Sequence, residues 1–173
     1  MDCVWLGGPE DGPTLRLDHE RFAYAGKFVM SNTGKAVART DDDVLGAIAF
    51  NRDRTDDAWW IRYVTVRVDR RGNGIGTDLI EFVASRLIRE GASAVRIAVN
   101  NPFAYEACYK AGFGYAGRET GLAEVVLQRP APTRPDAYGE GLQALQAARD
   151  LTPDERRFLE DRIHGPPPPH PNR

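Results

Sequence analysis

Three glycines at alternating positions carry the first chemical signal in this chain. Gly72, Gly74 and Gly76 lie in the segment Val66-Arg67-Val68-Asp69-Arg70-Arg71-Gly72-Asn73-Gly74-Ile75-Gly76, between an apolar strand and an amphipathic run. Residues of these types in this order build an anion cradle. Backbone N–H groups around small residues converge on one spot, and a helix start adds partial positive charge. Without a Cβ, each glycine lets a phosphate approach the main chain. A charge-assisted N–H···O bond contributes roughly 1.5–3 kcal/mol, so a few of them hold a diphosphate without a lysine. Spacing excludes two other phosphate loops. A Walker loop needs G-x-x-x-x-G-K-[ST], and here Thr77 and Asp78 follow Gly76. A dinucleotide fingerprint needs G-x-G-x-x-G and a later ribose-binding carboxylate, whereas the next strand ends in Asn100-Asn101.

A second run lies downstream, Asn101-Pro102-Phe103-Ala104-Tyr105-Glu106-Ala107-Cys108-Tyr109-Lys110-Ala111-Gly112-Phe113. From Arg71 to Gly76 the first run reads R-x-x-G-x-G; the second reads N-x-x-A, then an aromatic and G-F. In this order and at this separation they resemble two motifs of the GNAT superfamily of acyl-CoA-dependent N-acetyltransferases, over roughly residues 44–128. The resemblance implies an α/β fold whose mixed sheet, flanked by helices, is partly splayed. Between two diverging parallel strands the pantetheine arm of acetyl-CoA would lie like an extra strand. It further implies that the backbone of Val66 and Val68 pairs with the pantetheine amides, the Val66 amide nearest the thioester carbonyl. Arg71, Gly72, Asn73, Gly74, Ile75 and Gly76 would take the diphosphate, and Asn101 would touch the pantetheine arm from the other wall.

Aminolysis of a thioester needs a neutral amine, a donor for the developing oxyanion and a proton for the leaving sulfur. The family's second motif supplies that proton from a tyrosine. Counted without a gap from Ala104, its position here is Cys108, with Tyr109 next to it. Neighbouring helical residues point about 100° apart, so the two side chains cannot face one thioester together. A one-residue irregularity would bring Tyr109 round, and Tyr109 is the favoured acid and a cofactor contact; Cys108 is the alternative position and Tyr105 a third. A phenol, with an ordinary pKa of about 10, both donates to sulfur and accepts from water. Cys108 also reads simply as a small core residue. The base is less legible. Ile61-Arg62-Tyr63-Val64-Thr65-Val66 has no glutamate; Asp56 and Asp57 at its entrance would act through water, with Glu20 and Glu124 more remote. Arg62 fits an acceptor carboxylate or a salt bridge equally, and Trp59-Trp60 fit a pocket wall or core packing.

The elements that must position these residues follow from periodicity. Thr14–Leu17 alternates as a short first strand, and Asp18 caps a helix with Phe22, Ala25 and Val29 on one side. Gly34 to Thr40 and Val44 to Asn51 read as strands joined by Asp41-Asp42-Asp43. Trp59 to Val68, apolar and β-branched throughout, reads as a strand buried on both faces. Ile75 to Glu90 is a helix ending at Gly91, Val95 to Val99 a strand, and Asn101 caps a second helix with Pro102 at its first position. Phe113 to Arg118 and Glu124 to Gln128 complete the sheet. Residues 18–33 are too few for the two helices that wall the acceptor site in the resembled family.

The organisation expected is an acetyltransferase-like domain over residues 1–130, a helical extension over 131–164 and a disordered proline-rich tail over 165–173. In the extension, Leu142, Leu145 and Ala148 form a stripe, and Thr152-Pro153-Asp154-Glu155 is a capping box. Its helices suit a docking arm, a homodimer contact or a lid over the domain's own apolar surface. A formal net charge of −2 argues against nucleic acid as a main partner. No apolar run approaches membrane-spanning length, and Met1-Asp2-Cys3 opens without a secretion signal, so a cytoplasmic protein is expected. Two cysteines, Cys3 and Cys108, are too few for a disulfide framework, and no metal-ligand spacing surrounds them. These readings point to an N-acetyltransferase acting on a small amine or a protein amino group. A non-catalytic acyl-CoA-binding module and a longer-chain acyl donor are the alternatives.

Overall fold

The computed structural model describes residues 1–55, 57–133 and 137–171. Its contacts divide the chain into two units, Met1–Val95 and Arg96–Arg173, a division inside the stretch expected as one domain. The described residues carry seven strands and four α-helices, a mixed α/β architecture.

In the first unit, β1 (Asp2–Gly7), β2 (Gly34–Arg39), β3 (Val44–Arg52) and β4 (Trp59–Val66) pair antiparallel in that order. Runs such as Leu45-Gly46-Ala47-Ile48-Ala49-Phe50 are buried throughout because both faces of β3 are covered. Helix α1 (Ile75–Arg89) covers one face, burying Ile75, Leu79, Ile80, Val83, Ala84 and Leu87. Gly46 lets it sit close, since a Cβ there would lie 3.0 Å from Leu79 and 3.1 Å from Ile75. On the opposite face Phe28, Val37, Ala47 and Ala49 form a cluster with Leu15, Leu17 and Tyr63 packed against it.

Three expectations fail in this unit. The first strand is Asp2–Gly7, not Thr14–Leu17; three adjacent apolar residues, Val4-Trp5-Leu6, conceal its alternation. Residues 18–33 hold one turn at Asp18 and a 3-10 turn at Ala25–Lys27 instead of an α-helix. Tyr24 stands there in the left-handed region (φ 59°), which breaks helical continuation. The segment is held instead by Lys35, fully buried, whose ammonium donates to the carbonyls of Pro13 (2.5 Å), Met30 (2.6 Å) and Thr33 (3.2 Å). Burial without a carboxylate partner lowers its pKa. Finally, β4 stops at Val66 and is buried only at Ile61 and Thr65, with Arg62 exposed.

The second unit contains β5 (Val95–Val99, shared at the boundary), α2 (Pro102–Lys110), β6 (Gly114–Glu119), β7 (Val125–Arg129), α3 (Ala137–Ala148) and α4 (Pro153–Ile163). Strands β6 and β7 are antiparallel, and β7 lies between β5 and β6. Asn101 Oδ1 accepts from Ala104 N (2.9 Å), capping α2 as its spacing requires. The helix ends in a Schellman turn at Gly112 (φ 90°), with Phe113 N donating to Cys108 O and Gly112 N to Tyr109 O, both at 3.0 Å. Thr152 and Glu155 exchange reciprocal cap bonds at the start of α4.

The extension grips α2 at successive turns. Tyr105 donates its hydroxyl proton to the carbonyls of Tyr138 (2.9 Å) and Ala137 (3.3 Å), and its ring fills the space a side chain at Gly141 would need. Phe103 meets Phe158 with centroids 4.6 Å apart, and Glu106 pairs with Arg162 at 2.8 Å and Lys110 at 2.7 Å. From the tail expected to pack nothing, His170 is 7% exposed and lies against Tyr109.

Candidate active site

The cradle is built by a change of backbone parity along β4. At its start Trp59 N donates to Ala94 O (3.0 Å), away from β3; at its end Arg67 N donates to Leu45 O (2.9 Å), towards β3. In an antiparallel ladder alternate residues face the same neighbour, and 59 and 67 are both odd. One extra residue must therefore lie between them. The register supplies it: Ala49 pairs with Tyr63 and Phe50 with Ile61, leaving Arg62 as a β-bulge. Beyond the bulge, Val64 and Val66 turn their backbone groups away from β3. Nothing in the sequence announced this bulge.

After Val66 the chain turns on a buried arginine. Arg67, 3% exposed, donates from Nε and a terminal nitrogen to both oxygens of Asp69 (2.6 and 3.1 Å) and to Asp43 (3.0 Å). The Arg67 guanidinium holds the Asp69 carboxyl below the usual carboxylate range. This fork fixes a corner, with a 3-10 turn at Val68–Arg70, that delivers the chain to the glycines. Its signal was the R-x-D spacing, which sequence reasoning passed over.

Gly72 and Gly74 both lie in the left-handed region, at φ 79° and 80°, and Gly74 is the N-cap residue of α1 without a side-chain cap. A Cβ at either would meet nothing within 4 Å, so the space above them is open. Asn73 braces the turn, donating to the carbonyls of Arg70 (3.0 Å) and Arg71 (3.2 Å). Arg71 lies exposed with Nε 3.5 Å from Val66 O. On the first turn of α1, Ile75 is buried and anchors the helix, while a Cβ on Gly76 would sit 3.6 Å from Val66. The strand end and the helix start thus adjoin, leaving N–H groups without a side-chain cap beside open space. Such a site suits an anion.

Of the other expected contacts in this unit, the Val68 amide already donates to Arg21 O at 3.0 Å. Asp57 stands at the opposite end of β4 from Val66, roughly 25–30 Å away along an extended strand. It is ion-paired with Arg52 and open to solvent, and a small cavity there is lined by Arg52, Trp59, Leu87 and Glu90. The structure does not bring Asp57 to the cradle; Asp56 lies outside the described residues. Glu20 is exposed beside the Asp18 turn. Arg62 donates to Asn51 Oδ1 (2.7 Å) and lies over Trp60.

In the second unit α2 is regular from Pro102 to Lys110, so no irregularity rotates Tyr109 into the place of Cys108. Cys108 is fully buried, and burial pushes its thiol up to about 12. Tyr109, 2% exposed, has its ring set edge-on to Tyr138 (4.6 Å) and His170 (4.7 Å). Among the described residues its hydroxyl has no hydrogen-bond partner, whereas that of Tyr105 is committed to α3. Burial chiefly, with the neighbouring tyrosines, drives the Tyr105 pKa far above the phenol range, so Tyr105 is structural. Asn101 spends its side-chain oxygen on the α2 cap. Glu124 accepts from the Thr120 hydroxyl at 3.1 Å.

Known proteins match this arrangement. A model of the acetyltransferase (GNAT) family matches residues 6–115, which include both motifs. No curated protein sequence matches significantly. Nourseothricin acetyltransferase has a similar structure, with a TM-score of 0.50 and 22% identity over 58% of this chain and 66% of that one. Aminoglycoside 6'-acetyltransferase type Ii matches at 0.51 and 18% identity, over 64% and 77%. This chain therefore spans just under two thirds of the first. Identities this low establish a common fold, while the family model, covering more than half of the chain, establishes membership. The chain belongs to the GNAT family of acetyltransferases.

Proposed function

We propose that the protein transfers an acetyl group from acetyl-CoA to a primary amine, on a small molecule or a protein, by direct attack in a ternary complex. One observation carries the reading: the outward-turned backbone of Val66 leads through the Arg67 corner into two left-handed glycines that open α1. The N–H groups of Gly72 to Gly76 bind the diphosphate of the acyl donor, with Arg71 beside it. The Val66 amide donates to the thioester carbonyl and strengthens that bond as the oxygen gains charge. The amine nitrogen attacks the carbonyl carbon, the C–S bond breaks, and Tyr109 gives the departing sulfur its proton. The attacking nitrogen loses its proton to water, since Asp57 is paired with Arg52 far along β4 and Asp69 is held by Arg67. A Cys108 thiol pushed up to about 12 stays neutral near pH 7, which favours direct attack over an acyl-enzyme on that sulfur.

Steady-state transfer from acetyl-CoA to a panel of amines, with wild type beside Tyr109→Phe, tests this. A general acid contributes roughly 10²–10⁴-fold, so Tyr109→Phe should lose kcat on that scale while KM for acetyl-CoA holds. Tight acetyl-CoA binding with no amine acetylated would replace the enzyme by an acyl-CoA-binding module. That second reading draws on Asp57 being far along β4 and tied to Arg52.

A further inference from the structure

The residues that surround Tyr109 come from a part of the chain outside the matched family region. Tyr138 opens α3 and His170 lies beyond α4; both are buried, at 5% and 7% exposure. Their rings meet the Tyr109 ring edge-on at 61° and 62°. Each partner is itself fixed. The Tyr138 carbonyl accepts from the Tyr105 hydroxyl, and His170 Nε2 lies 3.2 Å from Phe113 O. A carbonyl only accepts, so this nitrogen carries the proton and donates, which sets the ring's orientation. Phe113 is the residue whose N–H closes α2 on Cys108. The tail therefore fastens to the end of the helix that bears Tyr109 and also covers that tyrosine's ring.

We infer that Tyr138 and His170 are positioning residues for acyl transfer, holding the Tyr109 ring between two aromatic edges so that its hydroxyl stays available to the leaving sulfur. The inference rests on Tyr109 being the acid. Edge-to-face contacts restrict both torsions of a tyrosine. Two of them on one ring leave a single rotamer. The hydroxyl, which has no hydrogen-bond partner among the described residues, then depends on the ring for its place.

The test is a double-mutant cycle read in kcat and in KM for acetyl-CoA. Tyr138→Leu and His170→Ala should each lower kcat roughly 10–100-fold with KM unchanged, the scale of a misplaced reacting group. Tyr138→Phe, which keeps the ring, should retain wild-type kcat. In a Tyr109→Phe background neither substitution should cost anything further, because both act through the missing hydroxyl. Wild-type kcat in His170→Ala and Tyr138→Leu, with Tyr109→Phe impaired, would overturn the inference and leave the acid in place. Equal losses with and without the Tyr109 hydroxyl would also overturn it, marking the rings as fold elements only. A fully active Tyr109→Phe removes the acid and the inference with it. If Tyr138→Leu does not fold, His170→Ala carries the cycle alone.

Discussion

The side chains of the cradle matter less than their absence. Gly72 and Gly74 sit at φ 79° and 80°, where a Cβ costs roughly 1–2 kcal/mol even though neither would collide with anything. Gly74→Val should therefore fold, with a loss of about that size, yet lose acyl-CoA binding. The isopropyl group would occupy the space the phosphate needs and turn the first amides of α1 away. Calorimetry checks it: micromolar binding of acetyl-CoA by Gly74→Val would contradict the role assigned to this loop. The same reasoning explains what was legible at this scale. A site built from main-chain groups leaves glycines at fixed spacing, which a sequence displays openly. The proposed acid is different: Cys108 and Tyr109 are neighbours on a regular helix and both are buried, so no spacing in the sequence separates them. Arg67 showed only an R-x-D spacing, because arginine is usually exposed and its burial depends also on Asp43, which lies 24 residues away.

At the scale of elements, helices with polar caps were readable and irregular segments were not. Asn101-Pro102 and Thr152-Pro153 start α2 and α4 where local hydrogen bonding requires. By contrast, the fold of residues 8–33 is decided by a buried lysine reaching carbonyls at Pro13 and Met30, contacts no local period encodes. The β4 bulge was hidden likewise, since it lies in pairing and not in composition. Docking of α4 on α2 gives a prediction with a sign. Burial alone would raise the Glu106 carboxyl, but Arg162 and Lys110 outweigh it and hold the pKa below its ordinary value. A depressed carboxyl contributes stability above its unfolded pKa, roughly 4.3, and loses it as pH falls through the folded value. Urea denaturation should find Glu106→Gln about 1 kcal/mol less stable than wild type at pH 7. The gap should narrow as pH falls through the folded value, since protonation removes the wild-type charge that Gln lacks. A gap that does not narrow on acidification would mean the charge is not what holds the helices.

For the whole molecule, the family region is far more legible in sequence than the extension. Two motifs at their spacing were enough to anticipate the GNAT family and its mixed α/β fold. Residues beyond 115 lie outside the family match, and their burial of Tyr105 and Tyr109 was not foreseen from a stripe of leucines and a run of prolines. The acceptor amine is written in neither region, since residues 18–33 hold turns in place of the two-helix wall the family resemblance implies. The claim on which all else depends is that the amides at the start of α1 hold the diphosphate. Titrating ¹⁵N-labelled protein with coenzyme A and following backbone amide shifts tests it most directly. The largest changes should fall on Gly72, Asn73, Gly74, Ile75 and Gly76, with Val66 next; saturation that leaves these amides unmoved would contradict the account.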